Sequence, residues 1–298
     1  MTVFAIINGD DFGLSPGINR GIIEGYRDGI LTSASLMVAG DAFEEAVMLA
    51  REHPGLSLGV HLTLIEGVPV LPPRKIPSLV TSDGRFFGSL DAFLLKWLRG
   101  GLRMREVQKE LEAQIEKARD CGIRVDKLDS HMHVHLLPGL FPTVLALAKR
   151  YDIAAIRLPS EGVSSLGSSA TFGGWCRRAM LTILSTLRSH RLIKAGCLHS
   201  IRFAGIAESG HLTEEDLLRL LRRLRPGLTE IMVHPGYCDG VLDNWPQSRY
   251  YKREQELTAL TSPRVKALVE RHQIKLINYS AVTEGSLMSS SGEEYAES

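Results

Sequence analysis

Short apolar, β-rich runs alternate along the chain with longer stretches whose apolar positions recur at helical spacing. Residues 4–9 read as a buried strand, and 16–28 as a helix with Ser15 as its N-cap and Pro16 at its first position. Further strands are expected at 33–39, 56–62, 126–134, 154–158, 200–203, 230–234 and 275–279. Helices are expected between them at 42–52, 105–120, 140–151, 213–224 and 263–272. In the second of these, Val107, Leu111, Ile115 and Ala118 repeat among charges, so its charged side reads as a solvated outer face. Thr213, with Asp216 three residues on, is a near-match to a capping box. About eight β/α alternations without an internal repeat predict α/β architecture: a parallel sheet covered by helices, most simply closed into a barrel.

Two stretches interrupt the alternation. Residues 66–103 carry four prolines and then Phe86, Phe87, Phe93 and Trp97; residues 160–198 start Ser/Gly-rich and become helical. Both are expected to overhang the catalytic end of the barrel and shape a substrate groove. The organisation expected is one catalytic domain over residues 1–285 with these two insertions, followed by a disordered tail at 286–298.

Composition adds mainly exclusions. Formal net charge is +1, which gives no reason to expect nucleic acid. The four cysteines form no CxxC pair, which argues against a disulfide scaffold or a cysteine zinc site and fits a reducing compartment. No run reaches the roughly 18 uninterrupted apolar residues of a membrane span. The N-terminal residues lack a basic region ahead of an apolar one, so the expected location is the cytoplasm.

The candidate chemistry gathers at the C-terminal ends of the expected strands, where barrels of this type carry their active sites. Asp10 and Asp11 are adjacent, and adjacent carboxylates repel unless a cation or a shared proton intervenes. His61 ends a second run and His234 a third, where Pro235 and Gly236 stop the strand. Asp129, His131, His133 and His135 occupy alternate positions, which on a strand would share one face. Alternate residues sit about 6.5–7 Å apart along a strand, so one metal takes at most two of these histidines. His131 is the favoured ligand, with His133 behind it or facing substrate and Asp129 orienting a ligand histidine. Arg157, also at a strand tip, either makes a structural ion pair or orients the Asp10 carboxylate. The bland alternatives are a turn for the aspartates and a satisfied core histidine for His61. A P-loop, Gly-x-Gly-x-x-Gly, Gly-x-Ser-x-Gly and His-Glu-x-x-His are all absent.

These pieces together resemble the YdjC-like carbohydrate deacetylases, the group that includes chitooligosaccharide deacetylase. The matching segments are Asn-Gly-Asp-Asp-Phe-Gly-Leu-Ser at 8–15, Gly-Ile-Leu-Thr-Ser-Ala-Ser at 29–35 and Gly-Val-His-Leu-Thr at 59–63. Leu-Asp-Ser-His-Met-His-Val-His at 128–135, Arg-Leu-Pro at 157–159 and His-Pro-Gly-Tyr at 234–237 continue the order. The resemblance implies a distorted (β/α) barrel of the NodB-like, glycoside hydrolase/deacetylase type. It also implies one divalent metal held by Asp11, His61 and His131, with Asp10 as base, and hydrolysis of an N-acetyl group on an amino sugar. The expected mechanism gives His234 the role of proton donor to the leaving nitrogen. Zn²⁺ or Mg²⁺ is the expected ion, with Co²⁺ and Mn²⁺ also compatible, although the Asp/His₂ set leans toward a transition metal.

Within that group the chain looks most like the branch associated with hopanoid biosynthesis, which implies an N-acetylglucosaminyl hopanoid or a related glycolipid, with a chitooligosaccharide as the soluble alternative. One feature bears on this independently. No acidic residue occurs between Glu161 and Glu208, whereas Arg177, Arg178, Arg188, Arg191, Lys194 and Arg202 are basic and Met180, Leu181, Ile183, Leu184 and Leu187 lie among them. An apolar and basic helix at about 176–194 fits a peripheral contact at the inner membrane surface as well as a core-packed lid. A homodimer is left open. Rival readings are an amidohydrolase or phosphoesterase on a related barrel and a non-catalytic carbohydrate-binding protein.

Overall fold

The computed structural model describes residues 2–161, 172–197, 202–246, 248 and 250–283. The tail expected at 286–298 and the first part of the second insertion lie outside the described residues.

Seven strands form the body of one parallel sheet: β1 (Val3–Phe12), β2 (Ser33–Leu36), β3 (Ser57–Leu62), β4 (Lys127–Ser130), β5 (Ala155–Ile156), β6 (Arg202–Ala204) and β7 (Gly227–Val233). Their order is β5-β4-β3-β2-β1-β7-β6. A parallel bridge between Glu161 and Phe203 joins the two ends of this path, which curls the sheet into a distorted barrel. The last expected strand is short. β8 (Lys275–Leu276) pairs only with β1, at Phe4 and Ala5, off the main path. β1 is the hub: Ala5 to Phe12 are all buried, and its neighbours on either side are β2 and β7.

Helices cover the outside. Ser15 caps α1 (Pro16–Arg27) by accepting from the Ile18 N–H, and Pro16 opens it. α2 (Phe43–Glu52) follows β2; α3 (Leu90–Leu98) lies within the first insertion; α4 (Met104–Asp120) and α5 (Leu140–Arg150) flank β4. α6 (Phe172–Ala195) is the helical part of the second insertion. α7 (Glu214–Arg222) carries a complete capping box, Thr213 and Asp216 each bonding the other's backbone. α8 (Arg253–Thr261), α9 (Pro263–Arg271) and α10 (Tyr279–Thr283) are the last helices among the described residues.

The first insertion alters one expectation. Val107, Leu111, Ile115 and Ala118 of α4 are buried as their spacing predicts, but so are Glu106, Glu110 and Gln114. Glu110 accepts from the Val70 and Leu71 N–H groups, and Glu106 from that of Ser78. Gln114 bonds both the N–H and the C=O of Thr63. Part of the charged side of α4 is therefore a docking surface for irregular chain. That chain's buried backbone donors need partners, and the helix supplies them.

Candidate active site

Successive residues on a strand point to opposite faces, yet Asp10 and Asp11 both serve one site. β1 achieves this with a bulge. Its register against β2 shifts between Gly9 and Phe12, and Asp11 takes a left-handed backbone conformation, φ 70°. Such a φ is uncommon for a non-glycine residue. Here it aims Asp11 toward β3 and the segment after β4.

That segment departs from expectation. β4 stops at Ser130, and residues His131–Leu136 coil into 3-10 turns with Met132 and His133 at positive φ. The three histidines thus do not share a strand face. His135 turns away, with Nδ1 2.7 Å from Ser130 Oγ and Nε2 3.0 Å from the Arg157 carbonyl. His133 is buried with its Nδ1 unpartnered among the described residues, between the rings of His135 and Phe203. Only His131 reaches Asp11.

Both histidines beside Asp11 have the same arrangement. His61 Nδ1 lies 2.8 Å from Asp129 Oδ1, while its Nε2 faces Asp11 Oδ1 at 3.7 Å. His131 Nε2 lies 3.3 Å from Glu66 Oε2, while its Nδ1 faces the same Asp11 oxygen at 3.6 Å. The other Asp11 oxygen accepts from Arg253 Nη2 at 2.6 Å. Each ring thus has one nitrogen held by a carboxylate and the other turned inward, as in carboxylate–histidine–metal sites. One carboxylate oxygen and two imidazole nitrogens of Asp11, His61 and His131 lie within 4.8 Å of one another, all buried, and this donor set fits a divalent cation. Burial alone would push the His131 imidazolium toward neutrality, but Asp11 and Glu66 outweigh it and lift its pKa to about 9. Burial would also raise Asp11, and Arg253 and His131 hold it well below the usual carboxylate range. Asp10, His61 and Asp129 form a second group of similar compactness. Their carboxylates already face Arg157 and Lys127, so a cation there would meet positive charge.

Arg157 is the centre of a buried ionic hub. It grips Asp10 bidentately at 2.7 and 2.8 Å, reaches Glu230 at 2.8 Å and lies 3.1 Å from Asp129. Ser35 donates to Asp129 at 2.7 Å, Asn8 donates to Asp10 at 2.8 Å, and Lys127 closes on Asp129. Burial would raise the Asp10 pKa, but the Arg157 charge and hydrogen bonds bring it far below the ordinary value. Asp10 is therefore ionised across the physiological range. Asp129 is held ionised in the same way, by Arg157 and Lys127 against burial.

His234 follows β7 directly. Its backbone N–H donates to Glu256 Oε2 at 2.6 Å, and its ring packs edge-on to Tyr251 with centroids 4.7 Å apart. Burial lowers its pKa to about 4, against the pull of Asp10 and Asp11. Glycines on α1 let the His234 loop approach: a Cβ at Gly21 would collide with the Gly236 backbone.

Residues 4–271 match the family model described as YdjC-like protein. The chain belongs to the YdjC-like family. It is 36% identical to a carbohydrate deacetylase of Brevibacillus brevis over 92% of this chain and 98% of that one. Identity to a carbohydrate deacetylase of Geobacillus stearothermophilus is 34%, over 94% and 98%. A crystal structure from Enterococcus faecalis V583, titled a putative cellobiose-phosphate cleavage protein, superposes with a TM-score of 0.78 at 30% identity, covering 95% of this chain and 99% of that one.

Several residues of this YdjC-like site escaped the sequence reading. Glu66 opens the first insertion at φ 61° and contacts His131. Arg253 and Glu256 lie on α8, which was not expected at all, although Arg-x-x-Glu at helical spacing was visible. Trp245 is fully buried, stands edge-on to His131 at 6.5 Å and donates to Asp41.

Proposed function

We propose that this chain is a divalent-metal-dependent hydrolase that removes the N-acetyl group from an amino-sugar substrate. The observation that carries the reading is the doubled arrangement of His61 and His131, each braced by a carboxylate and facing Asp11, beside the ionised Asp10. The kinship with proteins named carbohydrate deacetylases supports the same chemistry. Asp11, His61 and His131 would hold the metal, and the N₂O donor set favours Zn²⁺, Co²⁺ or Mn²⁺ over Mg²⁺. When bound, such an ion lowers the pKa of water and polarises a carbonyl.

The protein's own groups do the rest. Asp10 accepts the proton of the attacking water; Arg157 keeps it ionised and fixed in orientation. Asp129 and Glu66 hold the tautomers of His61 and His131. His234 is neutral at rest; it takes up the proton that Asp10 removes from water, and the imidazolium so formed delivers it to the departing sugar nitrogen, so that acetate and a free amine leave. His133, with an unpartnered nitrogen, faces the substrate. Two concrete substrates fit this class: an N-acetylglucosaminyl hopanoid and a chitooligosaccharide. Mass spectrometry of both after incubation should find the loss of one acetyl group, with acetate released and the reaction stopped by chelation. Turnover that survives complete metal removal, or no acetyl loss from any N-acetylated glycan or glycolipid, would overturn the assignment.

A further inference from the structure

Two peripheral helices meet the catalytic segment within two residues of each other. On α6, Arg188 donates to the Leu136 carbonyl at 3.4 Å. On α3, Trp97 donates to the Pro138 carbonyl at 3.1 Å. Both helices therefore border the turn that carries His131 and His133. Both also leave apolar side chains in water on their outer sides. α6 buries Arg178, Leu181, Ser185 and Leu192 on one face. At helical spacing on the other, Met180, Ile183 and Leu187 are 47%, 61% and 60% exposed. On α3, Leu95 and Leu98 are exposed, Leu98 at 72%.

The charges beside these stripes are mainly basic. α6 has no acidic residue, and its C-terminal part presents exposed Arg191 and Lys194 next to the apolar stripe. α3 runs into exposed Arg99, while its one acid, the exposed Asp91, lies a turn before Leu95 at the other end of the stripe. Arg178 is buried and Arg188 half-buried, each already donating to a backbone carbonyl, so neither is as free as Arg191 or Lys194 to meet a lipid phosphate.

From this juxtaposition we infer that the α3–α6 edge docks on the surface of an anionic lipid bilayer, with the site mouth held beside it. Exposed aliphatic side chains ringed by cations are what an interfacial helix presents to acyl chains and phosphates. A second copy of the chain is a poorer occupant. A two-fold contact would set the patch against itself and bring its basic residues together. Docking would deliver amino sugars carried on lipid anchors, and in that consequence it rests on the deacetylase reading.

The test separates the two. Flotation of the full chain with phosphatidylcholine vesicles, with and without phosphatidylglycerol, reads docking without catalysis. The chain should float with the anionic vesicles, and release with added salt. Arg191→Gln with Lys194→Gln should weaken binding roughly 30-fold, at about fivefold per charge from ~1 kcal/mol each. Ile183→Gln with Leu187→Gln should also weaken it, while acetate release from a soluble N-acetylated sugar stays unchanged in both variants. Absence of binding to anionic vesicles, binding indifferent to both variants, or a dimer that Ile183→Gln with Leu187→Gln dissolves would each overturn the inference. Failure of acetate release alone would refute the deacetylase reading and leave docking standing.

Discussion

Replacing Arg157 by Met removes one guanidinium from three carboxylates at once. Arg157 is fully buried and holds Asp10, Asp129 and Glu230 within 3.1 Å. Among the described residues, Lys127 and His61 still face Asp129, but Asp10 and Glu230 lose their guanidinium partner. Stranding a buried charge in this way costs about 3–5 kcal/mol. At roughly 2 °C per kcal/mol for a chain of this size, the melting temperature should fall by about 6–10 °C. The chemistry should change as well. What lowers the Asp10 pKa is Arg157, acting against burial. Without it burial wins, Asp10 holds its proton into the neutral range, and a protonated carboxyl accepts nothing. The sign follows from linkage. In the wild type, the depressed Asp10 pKa gives stability that is present above the ordinary carboxylate value and lost only in strong acid. In the variant this contribution is gone near neutrality, and the acid limb of kcat/KM moves up toward pH 7. Loss of base catalysis should slow turnover by about 10²–10⁴ at neutral pH, with partial recovery in alkali. Arg157→Lys keeps one charge but no fork, so it should fold better and still shift the limb. Thermal melts and pH–rate profiles of both variants check this. A folded Arg157→Met variant with an unshifted acid limb would refute the argument that Arg157 governs Asp10.

Asp129→Asn should weaken metal affinity about 10–100-fold, measured by competition with a chelating dye, because His61 loses the carboxylate on Nδ1. His234→Ala should slow unactivated amides far more than substrates with a good leaving group; equal losses on both would assign the ring a positioning role. Glu256 is pushed up to about 7 by burial, despite N–H donors from His234 and Leu212 and the charge of Arg253. The folded state therefore favours its protonated form. That stability is complete below about pH 4.5, is lost progressively as the pH rises to about 7, and totals on the order of 3 kcal/mol. Glu256→Gln should flatten this slope in urea melts at pH 5 and pH 8; an unchanged slope would refute it.

Much of this molecule is written locally. The apolar run of β1, the Ser15–Pro16 start of α1 and the Thr213/Asp216 box depend on neighbours a few residues away, so periodicity and capping chemistry locate them. Kinship shows equally in short motifs, because Asn-Gly-Asp-Asp and His-Pro-Gly-Tyr each sit on one strand tip. The tertiary structure decided what depends on distant partners. Strand alternation extended through His135 on paper, but β4 ends at Ser130, since the next residues find better partners in turns and in the Arg157 carbonyl than in a ladder. The charged face of α4 could not be known as buried without the insertion that covers it. Glu66 contacts a histidine 65 positions away, and Arg253 an aspartate 242 positions away. Each was one ordinary charged residue among many until the barrel brought it to Asp11. Local pattern selects the elements; only closure of the sheet gives buried charges their partners, and it is the partners that give Asp10, Asp11 and His131 their ionisation states.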